Sequence, residues 1–185
     1  MVETPADVRH ARPMDELPAA SVTLADPANP PSRKAPLVWA IGAGIPFLLL
    51  VPAQLVWIAL DGRAVWLHLS AAALTLLGIV AFVVVAPLWR YRVHRWEISL
   101  APGTPAVYTR SGWITQERRI APISRVQTVD TYRGPLDRMF GLANVTVTTA
   151  SAAGAVRIMA LDSEVADRVV AQLTDIAAIG AEDAT

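Results

Sequence analysis

Residues 36–60 read PLVWAIGAGIPFLLLVPAQLVWIAL, and residues 64–89 read AVWLHLSAAALTLLGIVAFVVVAPLW; neither stretch carries a charged residue. As helices they would rise roughly 37 to 39 Å, enough to cross a hydrocarbon core of about 30 Å with some tilt. Only Asp61, Gly62 and Arg63 separate them, so the chain must return antiparallel. The sequence predicts a transmembrane hairpin with spans at 36–60 and 64–89 and an external turn at 61–63.

Tryptophans mark both ends of each predicted span. Trp39 and Trp57 lie near the ends of the first, and Trp66 and Trp89 near the ends of the second. An indole ring prefers the headgroup level of a membrane, where one edge is apolar and the other wet. Two helices buried in a soluble core would explain neither this placement nor uncharged runs of such length.

Cations flank the hairpin on one side. Arg33 and Lys34 precede the first span, and three arginines follow the second: Arg90, Arg92 and Arg95. The connecting turn has one arginine beside an aspartate. By the positive-inside rule, we expect a multi-pass protein with both termini in the cytoplasm.

The segments outside the hairpin differ in composition. Residues 1–35 are polar and proline-rich, unlike a signal peptide, and predict a disordered cytoplasmic tail. Residues 181–185 are expected to form a second disordered tail. Lys+Arg and Asp+Glu both number 16, so the overall charge does not suggest a nucleic-acid partner. Cysteine is absent, which excludes disulfides and thiolate chemistry.

Residues 90–180 predict a β-rich cytoplasmic domain. Alternating apolar side chains at Trp96, Ile98 and Leu100 indicate a half-buried strand. Residues 107–109, the turn Ser111-Gly112 and residues 113–115 indicate a hairpin. Further strands are expected at 118–121, 126–132, 145–149 and 156–160.

A single amphipathic helix is predicted to end the domain. It begins at Ser163, and its apolar face repeats at helical spacing through Val165, Val169, Leu173 and Ile176. Six or seven short strands closed by one helix indicate an antiparallel β-sandwich or open barrel capped by a C-terminal helix. The predicted class is therefore an α+β membrane protein.

Two strings within the domain resemble a known family. Residues 122–127 read PISRVQ, and residues 134–143 read GPLDRMFGLA. They are similar to the signature of the bacterial pleckstrin-homology-like (PH-like) membrane-flanking domain, YdbS type, and the preceding hairpin matches that family's arrangement. The resemblance implies a PH-like fold at the bacterial inner membrane. The residues that carry it are Pro122, Arg125, Gln127, Gly134, Pro135, Leu136, Arg138, Gly141, Leu142 and Ala143.

The second string has a local structural interpretation. Gly134-Pro135 turns the chain out of a strand, and Leu136, Met139 and Phe140 would share one face of a short helix. Gly141 is expected to end that helix with a positive φ angle.

Seven arginines are candidates for contacting lipid headgroups or a partner: Arg90, Arg92, Arg95, Arg118, Arg119, Arg125 and Arg138. The first three follow a span directly, so part of their role is topological. For Arg125 and Arg138 we favour a structural role in tying loops over phosphate binding.

The sequence favours binding over catalysis. His10, His68 and His94 lie in the tail, the membrane and the membrane edge, and no nucleophile, phosphate-loop or metal-site motif occurs, so we expect no catalytic residues, no metal and no cofactor. The first hypothesis is a scaffold that docks protein partners or its own copies, since the resemblance implies a larger multi-copy PH-like relative as a membrane partner. The alternative is a sensor of anionic membrane lipids.

Overall fold

A computed structural model of the chain describes residues 26–100, 105–112, 115–151 and 154–182. Helix α1 runs over Ala35–Leu60. A second helical stretch comprises α2 (Val65–Ile79), a π-helical segment (Val80–Val85) and α3 (Ala86–Val93). In the most apolar 18-residue part of each stretch, 0% of the residues of α1 and 6% of those of the second stretch are buried inside the protein. Both are therefore long and apolar enough to cross a membrane, and they lack the burial of a core helix.

Polar contacts join the two helices inside the apolar region. Gln54 Nε2 donates to Thr75 Oγ1 at 2.6 Å and to the Ala71 carbonyl at 3.2 Å. At the turn, the His68 ring packs edge-on against Trp57, with 4.5 Å between ring centroids, and its Nε2 donates to the Asp61 carbonyl. These contacts fix the register of the hairpin and give Gln54, Thr75 and His68 Nε2 hydrogen-bond partners that lipid cannot supply, whereas buried His68 Nδ1 has none among the described residues.

The rest of the described chain forms two antiparallel three-stranded sheets and a C-terminal helix, called the β-domain below. The first sheet has the order β1 (Arg95–Ser99), β2 (Ala106–Ser111) and β3 (Glu117–Pro122). The second has the order β4 (Val126–Tyr132), β5 (Leu142–Thr149) and β6 (Val156–Asp162). Helix α4 (Pro135–Phe140) connects β4 to β5, and α5 (Ser163–Glu182) follows β6.

The core of the β-domain lies between the two sheets and α5. Alternation along β5 places Val145 and Val147 inward, fully buried, as period-two patterning requires. Helix α5 contributes buried Val169 and Leu173, with Val165 and Ile176 partly buried beside them. The structure therefore confirms the predicted antiparallel architecture with a C-terminal helix, as two sheets without a closed barrel.

The first hairpin of the β-domain differs from its prediction. Strand β2 pairs with β3 from Ala106↔Pro122 to Ser111↔Glu117, so residues 112–116 form the connection. Thr115 lies in that connection rather than in a strand, and residues 113–114 fall outside the described residues. The last pair of β2 and β3 is Ser111↔Glu117. Leu100, expected to point inward, lies past the end of β1 and is 59% exposed.

The predicted disordered tail also has a different boundary. Residues 26–34, here called the strap, lie along the β-domain, whereas residues 1–25 are outside the described residues. Asn29 forms a bridge with Trp96, through backbone hydrogen bonds of 3.0 and 2.9 Å. Ser32 donates from its backbone N to the Ala160 carbonyl and from Oγ to Asp162, both at 2.8 Å. Polar, proline-rich composition indicated disorder, but such a segment can still lie along a sheet edge. At the other end, residues 181 and 182 continue α5.

Candidate binding site at the junction of hairpin and β-domain

Helix α4 is shaped by the family-like string at residues 134–143. Asp137 Oδ2 accepts hydrogen bonds from the Gly134 N–H at 3.1 Å and from Asn144 Nδ2 at 2.9 Å, which fixes the entry to the helix. Gly141 ends the helix at φ 69°, so the predicted positive φ is confirmed. The string therefore sets a rigid corner between β4 and β5.

That corner packs against the start of α1. Leu136 and Phe140 lie on a cluster with buried Ala35 and Val38, together with Leu142 at the start of β5. The Lys34 side chain donates to the Phe140 carbonyl at 3.1 Å, so the strap contacts the corner as well.

Met139 does not share the predicted face of α4, because it is 77% exposed. Leu136 and Phe140, which are four residues apart, pack against α1. The helix has only six residues, and Met139 lies on the side of it that faces away from α1. The other residues of the two strings divide by burial. Leu142 and Ala143 are fully buried, Pro122 is half-buried, and Gln127 is exposed on β4.

Arg125 and Arg138 are both exposed. Neither guanidinium forms a hydrogen bond or ion pair with the described residues, so the loop-tying role that we favoured for them is not seen.

The three arginines that follow the second span differ in their contacts. Arg95 Nη1 donates to the carbonyls of Tyr91 and His94, at 2.9 and 2.8 Å, and so caps the C-terminus of α3. Arg92 is exposed. Arg90 lines the cavity described below.

A carboxylate of the strap forms ion pairs with two arginines of the first sheet. Asp26 pairs with Arg110 and, at 2.9 Å, with Arg118. Arg110 also donates from Nε to the Val93 carbonyl at 3.0 Å, which links the sheet to the end of α3. Sequence reasoning missed Asp26 because its partners lie more than 80 residues away and the segment resembled a solvated tail.

A cavity of about 790 Å³, here called the junction cavity, lies where the basic end of the hairpin meets the edges of both sheets. Its apolar floor comes from the helices: Trp39, Ala43, Phe82, Ala86 and Pro87. Its polar rim includes Arg90, Glu117, Arg119 and Arg157. The site thus joins an apolar surface at membrane level to a cluster of cations.

The three arginines of the rim have different partners. Arg119 pairs with Glu117 at 2.6 Å and donates from Nη1 to the Ala155 carbonyl at 3.0 Å. The Arg90 guanidinium carbon lies 4.2 Å from the centroid of the Trp39 ring, and Nη2 donates to Met159 Sδ at 3.1 Å. Arg157 is exposed and forms no ion pair with the described residues. Sequence reasoning missed Arg157, since only the tertiary fold brings it near Arg90.

His94 forms a buried wall of the cavity. Its Nδ1 donates to the Arg90 carbonyl at 3.1 Å, and its ring lies 5.6 Å from that of Trp39. Burial, together with the positive charge of Arg90, lowers the pKa of His94 to about 4, although the carbonyl contact opposes the shift. The imidazole is therefore neutral at physiological pH.

The stability of the protein should depend on pH through His94. Its folded pKa of about 4 lies below the usual 6.5, so the unfolded chain binds the proton first. The stabilisation that comes from the neutral His94 side chain is fully present above pH 6.5 and is lost as the pH falls from 6.5 toward 4. The free energy of unfolding should therefore fall by about 1 to 2 kcal/mol between pH 7 and 5. In detergent, the Tm of the wild-type chain should fall more steeply over that pH range than the Tm of the His94→Gln variant. Parallel profiles for the two proteins would contradict this assignment.

No group of three or more histidine, cysteine, aspartate or glutamate residues is placed to hold a metal ion among the described residues. The junction cavity is instead a site of guanidinium groups and apolar rings, which suits an anion that also carries an apolar part.

Comparison with known proteins identifies the family. The family model described as Bacterial PH domain matches residues 35–177, which include both apolar helices and most of the β-domain. The UPF0699 transmembrane protein YdbS of Bacillus subtilis (strain 168) is 34% identical over 123 residues, 64% of this chain and 70% of that relative. No solved structure matches the chain. The chain therefore belongs to the bacterial PH domain family, as a membrane protein of the YdbS type.

Proposed function

We propose that this protein is a membrane-anchored docking module at the inner face of the bacterial cytoplasmic membrane. The hairpin anchors it, and the PH-like domain binds another PH-like domain, in a second copy of this chain or in a larger relative that carries several. This role needs no catalytic step.

Several contacts support a domain held in one orientation relative to the membrane. The strap adds a bridge to β1, α4 packs on α1, and Arg110 reaches the carbonyl of Val93 at the end of α3. These three separate contacts oppose free rotation of the domain about a linker. A domain fixed in this way presents the same surface to every neighbour in the membrane.

The observation that carries the proposal is the free edge of β4. This strand lies at the end of its sheet and pairs only with β5 in the described part of the chain. Its exposed side chains are Gln127, Thr128, Asp130, Thr131 and Tyr132. The strand lacks the lysine and proline that usually block edge pairing. Its register shift lies at the start of the strand, between Val126 and Thr128, so pairing with β5 is regular from Thr128 to Tyr132. Such an edge suits a strand added by a partner.

The alternative of a lipid-sensing surface is less well supported. Of the arginines expected to lean on headgroups, Arg95 caps a helix, Arg118 pairs with the strap, and Arg119 pairs with Glu117. Engaged cations attract an acidic surface less, because their charge is already compensated.

Site-specific photocrosslinking in intact cells tests the docking proposal. A photoreactive amino acid at Thr131, on the β4 edge, should form an adduct whose peptides come from a PH-like domain, identified by mass spectrometry. The same amino acid at exposed Ala171 on α5 is the control and should not form it.

A charge variant provides a second readout. Thr128→Lys with Thr131→Lys should abolish an adduct formed from position Tyr132, since lysines along an edge oppose strand addition. Gln172→Lys on α5 should leave that adduct unchanged. No adduct from β4, or equal adducts from β4 and Ala171, would overturn the proposal.

A further inference from the structure

We propose that the junction cavity binds one anionic phospholipid from the adjoining membrane leaflet. Arg90 and Arg157 would hold the phosphate, and the apolar floor would receive the start of the acyl chains. This inference concerns a different surface from the β4 edge and does not depend on the docking role.

Arg90 supplies the first argument. Its guanidinium lies between the Trp39 ring and the Met159 thioether, and no carboxylate among the described residues reaches it. A thioether is a weak acceptor, and ring stacking leaves the in-plane N–H groups of arginine available. A partly desolvated cation without a counter-ion is costly, so a phosphate oxygen beside it would restore its lost interactions.

The charge balance of the cavity points the same way. Glu117, the carboxylate of the rim, is already paired with Arg119 at 2.6 Å, so this pair adds little net charge. Arg90 and Arg157 remain as two cations on one cavity that no carboxylate among the described residues compensates. His94 beside them is neutral, since burial lowers its pKa to about 4. The cavity is therefore positive at neutral pH and suits an anion.

The apolar floor distinguishes a lipid from a free phosphate. Phe82 lies eight positions before Arg90 on the same helical stretch, about 12 Å deeper along its axis. It is 52% exposed and belongs to the π-helical segment, a local distortion that is frequent at functional sites. A volume of about 790 Å³ exceeds the needs of a small phosphate ester. A ligand with both a phosphate and hydrocarbon chains would cover the rim and the floor together.

The full-length chain, purified in mild detergent, is the material for the test. Phosphatidylglycerol is added as the probe, and bound lipid is counted by native mass spectrometry while Tm is recorded. We expect one tightly retained phosphatidylglycerol and a raised Tm. Phosphatidylcholine, which has the chains but no net charge, and glycerol phosphate, which has the charge but no chains, should each give a much smaller shift.

Two pairs of variants locate the lipid. Arg157→Ala should reduce retention roughly tenfold, as expected for loss of a charge-assisted contact, whereas Arg168→Ala, exposed on α5, should not. Ala86→Phe should fill the floor and reduce retention without changing charge, whereas Ala73→Phe, exposed elsewhere on the same helical stretch, should not.

Each contrary outcome has a definite meaning. Equal retention by all four variants would show that the lipid is bound around the helices and not in the cavity, which overturns the proposal. An equal Tm shift with glycerol phosphate would overturn it too, by assigning the site to a free anion. Loss of retention in Arg157→Ala with normal photocrosslinking from β4 would separate this site from the docking role.

Discussion

Replacing Gly141 with valine is expected to lower the free energy of unfolding of the PH-like domain by about 1 to 3 kcal/mol. Gly141 holds φ 69°, in the left-handed region, where it ends α4. A Cβ at this position would meet nothing closer than the Lys34 Nζ atom, at 4.0 Å. The cost therefore comes from the backbone, and a β-branched residue tolerates this conformation least.

Two other variants separate this cause from a general sensitivity of the region. Gly141→Asn should be milder than Gly141→Val, because asparagine adopts the left-handed region more readily. Thr146→Ser on β5 removes one methyl group from a half-buried side chain and should have little effect. Thermal unfolding measures all three, and a Gly141→Val protein as stable as Thr146→Ser would show that the corner does not need glycine.

The hairpin and most strands could be predicted because their signals are local. An uncharged run of 25 or more residues requires an apolar environment wherever the chain lies, and alternation along 145–149 requires one buried face. The positive φ at Gly141 was predictable for the same reason, since a short helix followed by glycine is a local pattern.

The strap and the junction cavity could not be predicted in this way. Asn29 and Trp96 are far apart in sequence, and nothing in a proline-rich segment indicates which sheet edge it will meet. Arg157 is one polar residue on an alternating strand, and its place beside Arg90 depends on how β6 approaches the end of the hairpin. Non-local contacts decide both features, so hydropathy and spacing carry no signal for them.

The seven candidate arginines show the same limit within one residue type. From the sequence, all seven were candidates for contacting headgroups or partners, with a structural role favoured for Arg125 and Arg138. The structure instead shows a helix cap at Arg95, ion pairs at Arg118 and Arg119, and a cation without a carboxylate partner among the described residues at Arg90. The other three, Arg92, Arg125 and Arg138, are exposed. Their chemistry depends on which oxygen atoms the fold places nearby.

The second large effect concerns topology, on which the proposal of docking at the inner face of the membrane rests. The native chain has no cysteine, so a single introduced thiol reports its own side of the membrane. Gly62 lies in the turn between the spans, and Thr174 is exposed on α5 of the PH-like domain. By the positive-inside rule, the flanking cations predict that the turn lies outside and the domain inside, so the two positions should behave oppositely.

Labelling of intact cells with a membrane-impermeant maleimide tests this directly. Gly62→Cys should react in intact cells, whereas Thr174→Cys should react only after the membrane is permeabilised, which also shows that its thiol is accessible. Reaction of Thr174→Cys in intact cells, with Gly62→Cys protected until permeabilisation, would place the PH-like domain outside and contradict the account.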